Sequence, residues 1–199
     1  MIRLTPGQIA HACGARVVAG SLTPAGVDDV PVRAVVDSRA VAPGDLFVGL
    51  PGSRVDGGRF AADAIDQGAW GAVVATPHVA DAVVAAEPRG AHVFEAADPL
   101  AALARLAHAW LQRLRGAGCR VVGITGSTGK TSTKDILNAM LAPALRGRVH
   151  ASRENFNTEI GLPLTVLEAN VGVRVLVLEM AMRGMGQIRE LAQIAQPHV

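Results

Sequence analysis

The stretch Cys119 to Leu141, CRVVGITGSTGKTSTKDILNAML, constrains the fold more than any other part of this chain. An apolar run, Val121 to Ile124, leads into a loop of small residues, Gly126-Ser127-Thr128-Gly129. Lys130 and Thr131 then open a helical pattern with Ile136, Leu137, Met140 and Leu141 on one face. A strand, a glycine loop and a helix opened by Lys-Thr are the parts of a phosphate-binding P-loop. Glycines let backbone N–H groups gather around phosphate oxygens, and the helix N-terminus adds the positive end of its dipole. In such a loop Lys130 bridges the β- and γ-phosphates of ATP and acts catalytically, and the Thr131 hydroxyl ligates Mg²⁺. Gly126, Ser127, Thr128, Gly129 and Ser132 complete the nucleotide cradle. The strict spacing GxxxxGK[ST] asks for glycine at 124, where this chain has Ile124, with Gly123 one place early. Two readings stand on the residues alone: a nucleotide loop of altered spacing, or an ordinary strand-to-helix turn. The Gly129-Lys130-Thr131 core favours the first.

Glu179 is the second informative residue. Val173 to Met180, VRVLVLEM, reads as a buried parallel strand with Glu179 at its C-terminal end. A P-loop enzyme needs a further Mg²⁺ contact at such a place, and open α/β sheets bind ligands at the carboxyl ends of their strands. The alternative is a strand-end carboxylate that faces water. Asn155, Asn157 and Thr158 offer amide and hydroxyl groups suited to phosphate, metal-bound water or carboxylate, or they are ordinary loop residues. Asp37-Ser38-Arg39 either forks onto an anion through Arg39 or forms a capped turn with a surface ion pair, and the residues alone favour the turn. Gly52 to Gly58, with Asp56 and Gly57, is a second anion-binding loop or merely a turn. The six histidines show no metal-ligand spacing.

The rest of the chain is punctuated by local signals. Thr5-Pro6-Gly7-Gln8 is a capping box for a helix ending at Gly14. Short strands are expected at Arg16–Val18, Val32–Val36, Asp45–Leu50, Ala72–Ala75 and His92–Phe94, with a helix from about Arg59 to Gln67. Asp98-Pro99 starts a helix whose stripe of Leu100, Leu103, Leu106, Ala107, Trp110, Leu111 and Leu114 is core packing. A domain boundary is placed near Ala97, dividing 1–97 from 98–199. After the P-loop helix, Arg148–Ala151 is a short strand and Gln187–Ile194 a helix. Strands alternating with helices indicate an α/β fold with right-handed crossovers and mainly parallel sheets.

Composition narrows the function. With 50% hydrophobic and 18% charged residues, the 199-residue chain is globular. Six aromatic residues and a formal charge of +2 argue against a stacking surface for nucleic acid. No apolar run approaches membrane-spanning length, no signal-peptide core opens the chain, and Cys13 and Cys119 are too few for a disulfide framework. These features point to a cytoplasmic protein with no membrane partner.

The assembled motifs resemble those of the Mur ligases. TGSTGKT followed by Thr133-Lys134 matches the family's loop variant, which accounts for the altered spacing. Asn155-Phe156-Asn157-Thr158-Glu159-Ile160-Gly161-Leu162-Pro163-Leu164-Thr165 is similar to a stretch of the member that adds a dipeptide. Asp37-Ser38-Arg39, Pro43-Gly44-Asp45-Leu46-Phe47-Val48 and Asp56-Gly57 with Phe60 look like a UDP-sugar-binding domain. The resemblance implies an ATP-dependent amide ligase of peptidoglycan precursor synthesis. It would join D-alanyl-D-alanine to UDP-N-acetylmuramoyl-tripeptide through an acyl phosphate and act as a monomer. It further implies Mg²⁺ held by Thr131 and Glu179, phosphates by Lys130, and the carboxylate end by Asn155, Asn157 and Thr158. Ser38, Arg39, Asp56 and Gly57 would lie near the uridine diphosphate. Where the family usually has glycine, this chain has Ala181. The resemblance also implies a longer central domain and a third domain beyond position 199, with a carbamylated lysine and a histidine, so the chain is expected to be a fragment with an aggregation-prone sheet edge. The alternatives are a non-catalytic nucleotide- or UDP-sugar-binding remnant, another Mur-type ligase, and a folate–glutamate ligase.

Overall fold

The computed structural model describes residues 2–26, 29–153, 156–182 and 184–199. It divides into two compact units, Met1–Leu106 and Ala107–Val199, with one long helix running through the division.

In the first unit, Thr5 caps α1 (Pro6–Cys13) in a reciprocal capping box with Gln8, and Gly14 closes the helix in the left-handed conformation. Gly14 takes that φ of 60° without the strain a side chain would bring. A five-stranded sheet follows in the order β1 (Arg16–Ala19), β5 (His92–Glu95), β4 (Gly71–Val74), β3 (Leu46–Val48), β2 (Ala34–Val35). Every pairing is parallel except β1 with β5. The crossover helices α2 (Ala61–Asp66) and α3 (Val79–Ala86) bury Ala61, Ala64, Ala82 and Ala86 against Phe47, Val74 and Val93. Small side chains let these helices sit close to the sheet. The sequence reading missed α3, because an alanine-valine run has no polar face to mark its helical period.

α4 (Pro99–Gly116) begins as expected, with the Asp98 carboxylate accepting from the N–H groups of Leu100 and Ala101. Leu103, Leu106, Ala107, Trp110, Leu111 and Leu114 are buried, while Leu100 is half-buried. In the second unit the Trp110 indole donates to Ala169 O at 2.9 Å.

The second unit carries a parallel sheet in the order β6 (Arg120–Ile124), β8 (Val175–Glu179), β7 (Val149–Ala151). The register sets Glu179 beside Ile124, so the acidic strand end lies where β6 hands over to the loop. On the other side of β6, Gly123 N donates to Val199 O and His198 N to Val121 O. α5 (Lys130–Ala144), α6 (Gly161–Glu168) and α7 (Gln187–Ala195) complete the unit. α6 is a second helix missed from sequence, since it is buried all round from Gly161 to Leu167 and shows no amphipathic period.

The face of α5 carrying Ile136 and Met140 is exposed, at 61% and 68%, with Leu137 and Leu141 half-buried. The buried residue of that helix is Lys134.

Candidate functional site

The loop Thr125–Gly129 is exposed along its whole length at the carboxyl end of β6. Gly126 has a φ of 148° and Gly129, the N-cap of α5, a φ of 79°. L side chains rarely take such angles, so glycine at these places serves the backbone path. A Cβ added at Gly129 would meet no atom within 4 Å, so the space over the helix start is open. Gly123, one place early for the strict motif, has a different task. A Cβ there would lie 2.3 Å from Met180 Cε, so this glycine lets the strand pack, and Gly126 opens the loop. The Lys130 ammonium donates to Gly126 O at 2.6 Å, which curls its side chain back over the loop.

Glu179 is 2% exposed, so it does not simply face water. One carboxylate oxygen accepts from the Thr131 hydroxyl at 3.0 Å and the other from Asn157 Nδ2 at 2.8 Å. Its backbone N–H donates to the Ser152 hydroxyl at 3.1 Å. The fold thus gathers Thr131 from the first turn of α5, Asn157 from the segment before α6 and Glu179 from β8. Asn157 is held a second time, since its carbonyl accepts from Ala181 N at 2.9 Å. Gly161 permits this approach: a Cβ there would lie 2.4 Å from Phe156 Cα.

Other expected residues fall out differently. Thr158 Oγ1 accepts from Gly161 N at 3.4 Å, and Thr158 O from Leu162 N, so Thr158 supports the start of α6. Asn155 lies outside the described residues. Ser127, Thr128 and Ser132 are exposed beside the loop. Ser152 and buried Lys134 were not singled out as site residues. A hydroxyl on a backbone N–H and an ammonium on a carbonyl have no spacing signature, although the lysine did enter as part of the loop motif.

In the first unit, Ser38 and Arg39 lie in a 3₁₀ turn after β2, capped by Asp37. Arg39 is mostly exposed and forks onto Asp37, with Nη2–Oδ2 at 2.7 Å and Nε–Oδ1 at 2.9 Å. That is the capped-turn geometry. Hydrogen bonds from the Arg39 side chain and backbone hold the Asp37 carboxyl down at about 2. Asp56 caps a 3₁₀ turn over Gly57–Phe60, accepting from Gly58 N, and approaches His78 Nε2 at 2.8 Å. Asp56 is held below the usual carboxylate range by its hydrogen bond from His78, with the Gly58 N–H adding to it. Burial pushes the Cys13 thiol up to about 12, which leaves it inert as a nucleophile.

Among the described residues there is no group of three or more His, Cys, Asp or Glu side chains placed to hold a metal. The oxygen donors of Glu179 and Thr131 do suit a hard cation such as Mg²⁺, which takes one or two carboxylates and completes its shell with phosphate and water. Among the described residues, no helix is long and apolar enough to cross a membrane.

The Mur ligase middle domain matches residues 124–199, and the Mur ligase family catalytic domain matches residues 34–110. The UDP-N-acetylmuramoyl-tripeptide–D-alanyl-D-alanine ligase of Mycobacterium tuberculosis is 42% identical over the whole chain, which spans 41% of that protein. The Bacillus subtilis ligase of the same name is 38% identical over 99% of this chain, which spans 40% of it. Among solved structures, the D-alanyl-D-alanyl ligase of Acinetobacter baumannii superposes with a TM-score of 0.80 at 26% identity, covering 98% of this chain and 40% of its own. MurF of Thermotoga maritima, solved in complex with ADP, gives 0.68 at 36% identity, covering 85% and 36%. The chain therefore spans about two fifths of the length of these relatives. On its two domain matches, its full-length identity to these ligases and its backbone, the chain belongs to the Mur ligase family.

Proposed function

We propose that this chain supplies the ATP-binding and UDP-substrate-binding parts of an ATP-dependent ligase of peptidoglycan precursor synthesis. In our reading the enzyme joins D-alanyl-D-alanine to UDP-N-acetylmuramoyl-tripeptide. The terminal peptide carboxylate attacks the γ-phosphorus of ATP; the bond to ADP breaks and an acyl phosphate forms. The dipeptide amine then attacks the acyl carbon, phosphate leaves, the amine gives up a proton, and a new amide remains. The observation that carries this reading is Glu179, buried at the strand end and held by both Thr131 and Asn157 beside the glycine loop.

The roles follow from position. Backbone N–H groups of 126–129 and the start of α5 would meet the phosphates, with Lys130, which donates to Gly126 O in the structure, turned onto them. Ser132 lies in the same first turn. Thr131 and Glu179 would hold Mg²⁺, which neutralises charge on the transferring phosphoryl group. Asn157 orients the carboxylate of Glu179, with Asn155 and Thr158 assigned to the same end of the substrate. We assign residues 1–97 to binding the UDP-muramoyl peptide through Ser38, Arg39, Asp56 and Gly57, and 98–199 to the ATP-binding domain. We also assign the protein to the cytoplasm, as a monomer working on small molecules.

The reading is tested on a version of the chain extended to the length of its relatives. Phosphate release from ATP is expected only when UDP-N-acetylmuramoyl-tripeptide and D-alanyl-D-alanine are both present. Equal release with free glutamate as acceptor would overturn it in favour of the folate branch.

A further inference from the structure

Lys134 is only 5% exposed, on a helix whose other residues are exposed or half-buried. Withdrawing an ammonium from water costs several kcal/mol unless its donors find partners. An apolar residue of similar length would fill the space without that cost, so packing alone gives no reason for a cation here. Its partners indicate the reason. Nζ donates to Ser152 O at 3.0 Å and reaches Asp135 Oδ1 at 3.1 Å, but the Asp135 side chain is 65% exposed and pairs weakly in water. The contact held in the interior is therefore the one to Ser152, itself 2% exposed.

Ser152 follows β7 directly and touches β8 twice. Its N–H donates to Val177 O at 3.0 Å, and its hydroxyl accepts from the Glu179 N–H at 3.1 Å. Thr131, one turn before Lys134 on α5, meets the Glu179 carboxylate. One helix face thus reaches the same strand end by two routes: Thr131 grips the side chain directly, and Lys134 grips the backbone through Ser152. The ring α5–Glu179–Ser152–α5 ties the helix that carries the glycine loop to the residue that would hold the metal.

We propose that Lys134 is a positioning residue for Glu179, acting through Ser152 to fix the direction in which the carboxylate meets Mg²⁺. This rests on the reading of Glu179 and Thr131 as the groups that hold the metal. Groups that touch a metal ligand, as Ser152 touches Glu179, typically change metal affinity roughly 10- to 100-fold when removed, and Lys134, one contact further out, is expected at the low end of that range.

The test is a titration of the chain with a fluorescent ADP analogue at increasing Mg²⁺, and without it. Lys134→Met is expected to raise the half-saturating Mg²⁺ concentration about tenfold while metal-free ADP affinity stays at the wild-type value. Ser152→Ala is expected to do the same, and the double variant to be no worse than either, because both break one route. Wild-type Mg²⁺ dependence in Lys134→Met would overturn the proposal. So would an equal loss of ADP affinity with and without metal, or additive effects in the double variant. Should Lys134→Met fail to fold by circular dichroism, Ser152→Ala decides alone. Glu179→Gln separates the levels. If it leaves the Mg²⁺ response intact, the metal-holding reading falls and the proposal with it. If it abolishes the response while Lys134→Met and Ser152→Ala do not, the positioning role alone falls.

Discussion

The loop after β3 and the loop after β6 both follow a parallel strand, and both carry glycines into a helical turn. In the first, running from Pro51 to Gly58, the glycines are filled by their own surroundings. A Cβ at Gly57 would lie 2.7 Å from Leu50 O, one at Gly52 2.5 Å from Val55 O, and one at Gly58 2.2 Å from the His78 ring. None of these three glycines has a positive φ. In the second, Gly126 and Gly129 take positive φ, and nothing stands within 4 Å of a Cβ at Gly129. The same residue type therefore lets one loop fold tightly on itself and leaves the other open. A ligand on the first loop is offered side chains such as Asp56. The second loop instead leaves its backbone open, which is what the proposed phosphate site requires.

The sharpest way to break this contrast acts on the open loop. In the chain extended to the length of its relatives, Lys130→Ala is expected to lower the proposed ATP turnover about 100-fold or more while the circular dichroism spectrum stays unchanged. Retained turnover would remove the loop from the chemistry.

A paired substitution separates space from backbone angle. Gly57→Ala drives a methyl group into a carbonyl and is expected to cost about 3 kcal/mol in denaturant unfolding. Gly129→Ala meets no atom, so its cost is that of a left-handed φ, about 1 kcal/mol. It should nevertheless weaken ADP binding, which Gly57→Ala leaves alone. The reverse order of stabilities would break the comparison.

Arg39→Ala addresses the first unit. It is expected to weaken UDP-substrate binding about tenfold with ADP affinity unchanged, since a charge-assisted fork onto an anion is lost. Because Arg39 already forks onto Asp37, substrate affinity equal to wild type would leave it a surface pair only.

The smallest effect is in acid. The Asp37 carboxyl sits at about 2 in the folded chain against an ordinary 3.8. A depressed carboxyl stabilises the fold above the unfolded value and loses that contribution as pH falls through the folded one. Wild type and Asp37→Asn should therefore differ slightly in melting temperature above about pH 4 and converge near pH 2, with high salt shrinking the gap because both partners are exposed. A gap that persists below pH 2 would rule out the Arg39 pair as its cause.

Much of this chain was legible in its sequence because the determinants are local. The Thr5 capping box, the Asp98 cap before Pro99, the apolar run ending at Glu179 and the Lys-Thr start of α5 each lie within a few residues of the structure they specify. The altered spacing at Gly123 resolves only in the fold, where Gly123 lets β6 pack against the distant Met180 and Gly126 opens the loop. What the sequence could not carry depends on contacts between distant segments. Periodicity put Ile136 and Met140 on one face without saying where that face points; α5 leaves them exposed and turns Lys134 inward, where its ammonium has Ser152 O within reach. α3 and α6 escaped notice because burial or small apolar residues erase the amphipathic signal. Residue types alone marked a strand, glycine loop and helix as a candidate nucleotide loop, and an acidic strand end as a candidate partner to it. That Glu179 is buried, and that Thr131, Asn157 and Ser152 meet it from three segments, was decided only by the parallel register of β6 with β8 and the close pass of Phe156 over Gly161.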